Sequence, residues 1–155
     1  GREGQLGHSN QQQQLLPKKI KALVGRRVIA VSAGHAHNLA LAADGAVWSW
    51  GYGSYGKLGH GNLQLQLPKK IEALAGQRVV AVSAGGLHSL AITADGAVWS
   101  WGYGSQGRLG HGDEQQKLLP KKVEAFADQR VVAVSAGTCH SIAITADGAV
   151  LTWGG

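Results

Sequence analysis

Short apolar segments punctuated by glycine run the whole length of the chain, and the middle of the sequence shows their order most clearly. Arg78–Ala84 is a run of Val, Ala and Ser bounded by Gly85. It is too short for a helix and β-branched enough for a strand. His88–Thr93 and Ala97–Trp101 follow, flanking Ala94-Asp95-Gly96. An Asp-Gly pair between two apolar runs predicts a hairpin, because glycine, and often aspartate, accepts a positive φ. Leu90 and Ile92 fall on one face of the first hairpin strand, Ser89 and Ala91 on the other, and neither face carries a charge. A strand without a charged face is covered on both sides, as when sheets stack face to face. A glycine-rich loop, Gly102–Gly112, leads to Leu118–Ala125, whose Pro120 cannot donate to a ladder. That fourth segment is predicted as an outer edge strand with its lysines in water.

The same order of segments occurs three times. ADGAVWSWG stands at 43–51 and 94–102 and returns as ADGAVLTWG at 146–154; VSAG starts at 31, 82 and 134, and LGH at 6, 58 and 109. The step is 51 or 52 residues, a period of repeat architectures in which one unit cannot bury its own faces and must stack on a neighbour. Helical solenoids are excluded, since no stretch of ten or more residues carries a 3.6-residue period. Four strands per unit, with small residues innermost and a polar strand outermost, describe a propeller blade. The chain is therefore expected to be all-β, a β-propeller of four-stranded blades with three blades in one repeat domain over 1–155. The expected divisions are an outer strand of a split blade at about 15–22, blades at about 28–72 and 79–125, and a last blade at 131–154 completed by an N-terminal strand.

At this resolution the residues resemble a known pattern. Each unit is similar to the repeat of the regulator of chromosome condensation family, VVAVSAG-x-x-HSLAIT-x-DG-x-VWSWG-x-G-x-x-G-x-LGHG followed by P-x-x-V. The resemblance implies a β-propeller, seven-bladed in the founding members. It also points to several functions: nucleotide exchange on the small GTPase Ran, plant UV-B reception, and propellers carried by ubiquitin ligases. Fold alone does not choose among them. Light sensing would need tryptophans in a G-W-R-H-T motif; here those positions read Gly34-His35-Ala36-His37-Asn38, Gly85-Gly86-Leu87-His88-Ser89 and Gly137-Thr138-Cys139-His140-Ser141, so it is excluded. The tryptophans sit instead in the return strand of each hairpin, where large rings suit packing of blade against blade. Exchange activity in the family uses an inserted β-wedge, for which repeats of 51–52 residues leave no room.

Composition narrows the partners. The net charge is +6, and the lysines recur as one pair per repeat, Lys18-Lys19, Lys69-Lys70 and Lys121-Lys122, each after a proline. Paired lysines on an outer edge deter edge-to-edge aggregation; read instead as a basic edge, they would attract nucleic acid or chromatin. Cys139 is the only cysteine, so no intrachain disulfide forms, in keeping with an intracellular, reducing compartment, cytoplasm or nucleus. No apolar run approaches the ~18 residues of a membrane span. His37, His88 and His140 share one repeat position and His8, His60 and His111 another. Residues equivalent by repeat spread around a ring and cannot converge on one ion, so no metal is assigned. No Ser-His-Asp set, phosphate loop or paired carboxylates is evident, so no catalytic residue and no cofactor are assigned either. The expected function is a non-catalytic scaffold that binds another protein through loop-lined rims, with Tyr52, Tyr55, Lys57, Tyr103 and Arg108 as contact residues. The alternatives are exchange on a Ran-type GTPase and chromatin or nucleic-acid binding.

One further expectation comes from spacing. The steps from His8 to His60, His60 to His111, and His111 through both termini to His8 are 52, 51 and 52 residues. The chain thus holds three whole repeats, opening with an outer strand and closing with the inner strands of a blade. Propellers close with about four to eight blades, so two chains are expected to form a six-bladed ring, each donating its N-terminal strand to the other. The rival expectation is a piece of a longer propeller.

Overall fold

A computed structural model describes residues 1–64 and 66–155. Among them lie eleven strands in chain order: β1 (Val28–Ala33), β2 (His37–Ala42), β3 (Val47–Gly51), β4 (Gln66–Lys70), β5 (Val79–Ala84), β6 (His88–Thr93), β7 (Val98–Gly102), β8 (Lys117–Lys122), β9 (Val131–Ala136), β10 (His140–Thr145) and β11 (Val150–Gly154). They form two four-stranded sheets, β1-β2-β3-β4 and β5-β6-β7-β8, and a three-stranded sheet, β9-β10-β11. All pairings are antiparallel. The expected all-β blades are present. No helix among the described residues is long and apolar enough to cross a membrane.

Each hairpin turn works as its sequence suggests, with one refinement. The turn after β6 closes by Gly96 N–H donating to Thr93 O (2.8 Å), and Asp95 Oδ1 accepts the Ala97 N–H (3.3 Å). Only the glycine takes positive φ, at +84°; the aspartate contributes its carboxylate to the turn instead. Every innermost strand also carries a one-residue bulge at the same place, between Val28 and Ala30, Val79 and Ala81, and Val131 and Ala133. The extra residues Ile29, Val80 and Val132 point outward, 59%, 49% and 52% exposed.

The blades stack through two apolar seams. In the first, Leu39, Leu41, Val47 and Ile71 of the first blade meet Val79, Ala84, Ala91 and Trp101 of the second. In the second, Ile92, Val98, Val123 and Phe126 meet Val131 and Ala143, with Val134, Leu151 and Trp153 against them. Each blade thus offers aliphatic side chains forward and a tryptophan backward, which explains why neither strand face is charged. Burying one such Leu, Ile or Trp contributes roughly 2–3 kcal/mol.

Two boundaries differ from expectation. The outer strand predicted to Ala125 ends at Lys122. There Val123 N–H donates to Val98 O, and the chain turns into a 3-10 turn, Glu124–Phe126, that drops Phe126 into the seam. The segment predicted as an outer strand at 15–22 is not a strand here; it runs irregularly into a 3-10 turn, Lys21–Leu23. A strand exists only through a ladder partner, and β4 and β8 find theirs in β3 and β7.

Candidate protein-interaction rim

The loops after β3 and β7 begin with Tyr52 and Tyr103, whose N–H groups donate to Ala36 O and Leu87 O, both at 2.9 Å, tying the rim to the hairpins below. Gly53 and Gly104 follow, where an added Cβ would lie 2.0 Å from Gln64 O and Gln115 O respectively, so the loop backbones pack without room for a side chain. Next come Tyr55 and Gln106, the residues other than glycine with positive φ among those described, at 59° and 62°. For a tyrosine this left-handed conformation is strained, and strain of that kind is held only where the surroundings over-determine it. The Tyr55 ring rests against Tyr103, with centroids 4.3 Å apart and planes tilted by 36°. Tyr52 and Tyr55 remain 43% and 40% exposed.

Lys57 and Arg108 behave differently from the expectation that they touch a partner. Lys57 is fully buried and Arg108 is 4% exposed. Lys57 Nζ donates to Ser54 Oγ (2.7 Å) and lies 4.8 Å from the centre of the Tyr52 ring. Burial lowers its amine to about 8, an effect that Glu3 opposes. The Arg108 guanidinium donates to Ser105 O (2.9 Å), to Gln106 Oε1 (3.3 Å) and, across the blade boundary, to Thr138 O (3.1 Å), and it stacks 5.0 Å from the Tyr103 ring. These cations brace the rim from beneath, and the tyrosines form its surface. Between the first two blades the rim opens over a cavity of about 430 Å³ lined by Glu3, His35, Tyr52, Tyr55 and Leu87, with Lys57 at its floor.

Beneath the rim runs a polar relay that spacing alone does not reveal. Ser89 Oγ donates to Lys57 O (2.8 Å), so the 2.9 Å contact between His37 and Ser89 is His37 Nε2–H donating to Ser89 Oγ. The next joint repeats it: His88 Nε2–H donates to Ser141 Oγ (2.8 Å), which donates to Arg108 O (2.9 Å). Trp101 Nε1–H adds a bond to Lys57 O (2.9 Å), and Trp50 Nε1–H and Asn38 Nδ2–H address Gln5 O in the N-terminal loop. The histidines are therefore blade-to-blade bolts. Burial first, then the positive charge of Lys57 and His88, lowers His37 to about 3; burial, then Arg108 and His140, lowers His88 to about 4. The other histidine position serves within a blade: His60 and His111 each donate from Nε2 to a serine, Ser49 and Ser100 (2.8 Å), which donates to Leu58 O and Leu109 O (2.7 Å).

The lysine pairs lie away from the rim. Lys69 and Lys121 stand exposed on β4 and β8, the outer edges of their sheets, with Lys70 and Lys122 half-buried beside them; Lys18 and Lys19 are exposed on the N-terminal segment. Separated by whole blades, they form no single dense patch.

Comparison with known proteins agrees with this architecture. The model of the regulator of chromosome condensation (RCC1) repeat matches residues 1–41, 44–92 and 95–144, and a second RCC1-repeat model matches 28–57 and 79–108. The chain is 45% identical over 157 residues to the E3 ubiquitin-protein ligase HERC2 of Homo sapiens, covering 99% of this chain and 3% of HERC2. It is 41% identical over 156 residues to the ultraviolet-B receptor UVR8 of Arabidopsis thaliana, covering 99% of this chain and 36% of the receptor. The chain thus spans only a minor part of either relative. Among solved structures, human WBSCR16 superposes with a TM-score of 0.86 at 26% identity, over 99% of this chain and 40% of that one. Yeast RCC1 (Prp20) bound to Kap60 gives 0.83 at 25% identity, over 99% and 38%. Prp20p of Saccharomyces cerevisiae, studied for its binding to Gsp1p and histones, gives 0.70 at 25% identity, over 77% and 31%. With three copies of the repeat matched along nearly its whole length and folded as propeller blades, the chain belongs to the regulator of chromosome condensation repeat family.

Proposed function

We propose that the chain is a non-catalytic interaction module that binds another protein through the tyrosine rim over its first two blades, in a reducing intracellular compartment. The observation that carries this reading is the pair Tyr52 and Tyr55, exposed beside a cavity, with Tyr55 held in a left-handed conformation against Tyr103. Rigid aromatic side chains contribute large contact area at low entropic cost, and they dominate binding energy at interfaces. Protein binding by Prp20, a neighbour over nearly the whole chain, supports the class of function.

That neighbour also supplies the probes: Gsp1p and histones, titrated calorimetrically against the whole chain. Rim binding predicts that Tyr52→Ala with Tyr55→Ala weakens the interaction by tenfold or more, while neutralising Lys69, Lys70, Lys121 and Lys122 changes it little. The reverse pattern, with affinity falling steeply as salt rises, assigns binding to the basic edge instead and overturns the rim. Exchange on a Ran-type GTPase is the second reading, favoured by the binding of Prp20p to Gsp1p. Labelled guanine nucleotide released no faster with the chain than without it removes that reading.

A further inference from the structure

The two internal joints share a rim but are closed differently. At the second joint the Tyr103 ring has two neighbours, the Arg108 guanidinium at 5.0 Å and the Tyr55 ring at 4.3 Å. Arg108 also spans that joint to reach Thr138 O (3.1 Å). At the first joint the same repeat positions hold Tyr52, Lys57 and Glu3. The register is fixed by Trp50 and Trp101, whose Nε1–H groups donate to Gln5 O and Lys57 O. Lys57 Nζ takes the place of the guanidinium, 4.8 Å from the centre of the Tyr52 ring. Its one hydrogen bond among the described residues stays within its own loop, on Ser54 Oγ (2.7 Å). Nothing takes the place of the Tyr55 ring: Glu3 has no ring to offer, and among the described residues none stacks on Tyr52. The consequence is the cavity of about 430 Å³, whose walls all belong to the first joint and the loop packed on it.

Backbone and charge together narrow what can enter. Tyr55, at φ 59°, carries its ring across the blade boundary to Tyr103 and leaves the space beside Tyr52 open. Two opposite charges border that space, the Lys57 amine at its floor and Glu3 on its wall, and no ion pair joins them among the described residues. A cationic occupant is drawn to Glu3 and repelled by Lys57, and an acidic one the reverse, so neither sign gains from entering. Either would also give up its hydration. An uncharged ring gives up little, and it gains contact with Ala36 and Leu87 and a stacking face on Tyr52.

We infer that this cavity is an anchor pocket for one uncharged aromatic side chain of a protein partner, a phenylalanine, tyrosine or tryptophan that lies on Tyr52 as Tyr55 lies on Tyr103. The inference rests on the reading of the rim as an interaction surface and names what enters it. Aromatic anchors held in pockets carry much of the binding energy of an interface, while the contacts around them exclude water. Tyr52 is 43% exposed in the free chain, so its ring is available to a partner without rearrangement. The pocket is particular to the first joint, because Arg108 and Tyr55 already cover Tyr103 at the second.

The test titrates the N-acetyl amide of phenylalanine into the whole chain, labelled at its methyl groups, and follows Leu87 and Ala36 by NMR. Saturable shifts are expected at both, since both line the cavity. The N-acetyl amides of leucine, arginine and aspartate, compared through their saturation curves, should bind more weakly by roughly threefold or more, the share that stacking adds beyond apolar contact. Tyr52→Leu keeps an apolar wall and removes the ring, so it should abolish the preference for phenylalanine, whereas Tyr52→Phe should retain it. Tyr52 is partly exposed, and an unchanged denaturant midpoint verifies that both variants fold. Equal affinity for the arginine or aspartate amide, no saturable shift with phenylalanine, or a preference that survives Tyr52→Leu overturns the inference. Failure of the rim reading looks different: there the phenylalanine amide enters the pocket, but Gsp1p and histones bind without need of Tyr52 and Tyr55, or not at all.

Discussion

Acid should loosen this stack at its histidine bolts, and the size of the effect follows from their burial. His37 and His88 are fully buried, and their imidazoles are lowered to about 3 and about 4. In the unfolded chain each returns to its ordinary value of about 6.5. Between those values the unfolded state binds more protons than the folded one, so stability rises with pH and is lost as pH falls below about 6.5. At pH 5 each histidine removes about 2 kcal/mol, roughly 4 kcal/mol for the pair, with a limiting slope of about 2.7 kcal/mol per pH unit. That is a large share of the 5–15 kcal/mol typical of a folded domain. His60, lowered to about 4, is only half-buried and adds less because solvent screens it. The assay is urea unfolding followed by tryptophan fluorescence at intervals from pH 7.5 to 4.5. His88→Gln is the control, because its amide still donates to Ser141 Oγ but does not titrate, and the slope should fall by about half. Stability that is flat from pH 7 to 5, or a slope untouched by His88→Gln, refutes the argument.

Two further outcomes test the seams and the turns. Trp101 is fully buried, and the Lys57 carbonyl it bonds also receives Ser89 Oγ. Trp101→Ala should therefore cost about 3–5 kcal/mol as a cavity, and Trp101→Phe only about 1 kcal/mol more than the area it loses, both read from denaturant midpoints. Gly76 and Gly102 both have positive φ, but a Cβ on Gly76 meets nothing while one on Gly102 lies 2.6 Å from Leu87 O. Gly76→Ala should cost about 1–2 kcal/mol and Gly102→Ala about 4 kcal/mol, strain and overpacking together; equal losses in thermal unfolding would contradict the close approach.

Much of the blade is legible in local sequence. Asp95-Gly96 marks its hairpin, the alternation through Leu90 and Ile92 marks a strand covered on both faces, and Pro120 marks an edge, because each depends on residues a few positions apart. Repeat spacing then says which residues are equivalent, and so which family the chain resembles. It does not say what equivalent residues touch. Tyrosine on a loop reads as surface, and Tyr52 and Tyr55 are exposed; lysine and arginine on the same loop read as surface too, yet Lys57 and Arg108 are buried. Their burial is decided largely by the neighbouring blade, which supplies Thr138 O for the guanidinium and packs Ser89, Trp101 and Gly102 against Lys57, while Tyr52 of the same loop covers the lysine amine.

The sequence by itself determined the strands, the turns, the period and the family, since all of these follow from backbone preference and side-chain alternation within one repeat. Only the tertiary structure decided that the histidines bolt one blade to the next, that the rim is aromatic above and cationic beneath, and that the segment at 15–22 forms no strand. The histidine bolts depend on contacts between residues about fifty positions apart, and a contact across that distance is fixed by how blades stack, which no local preference encodes.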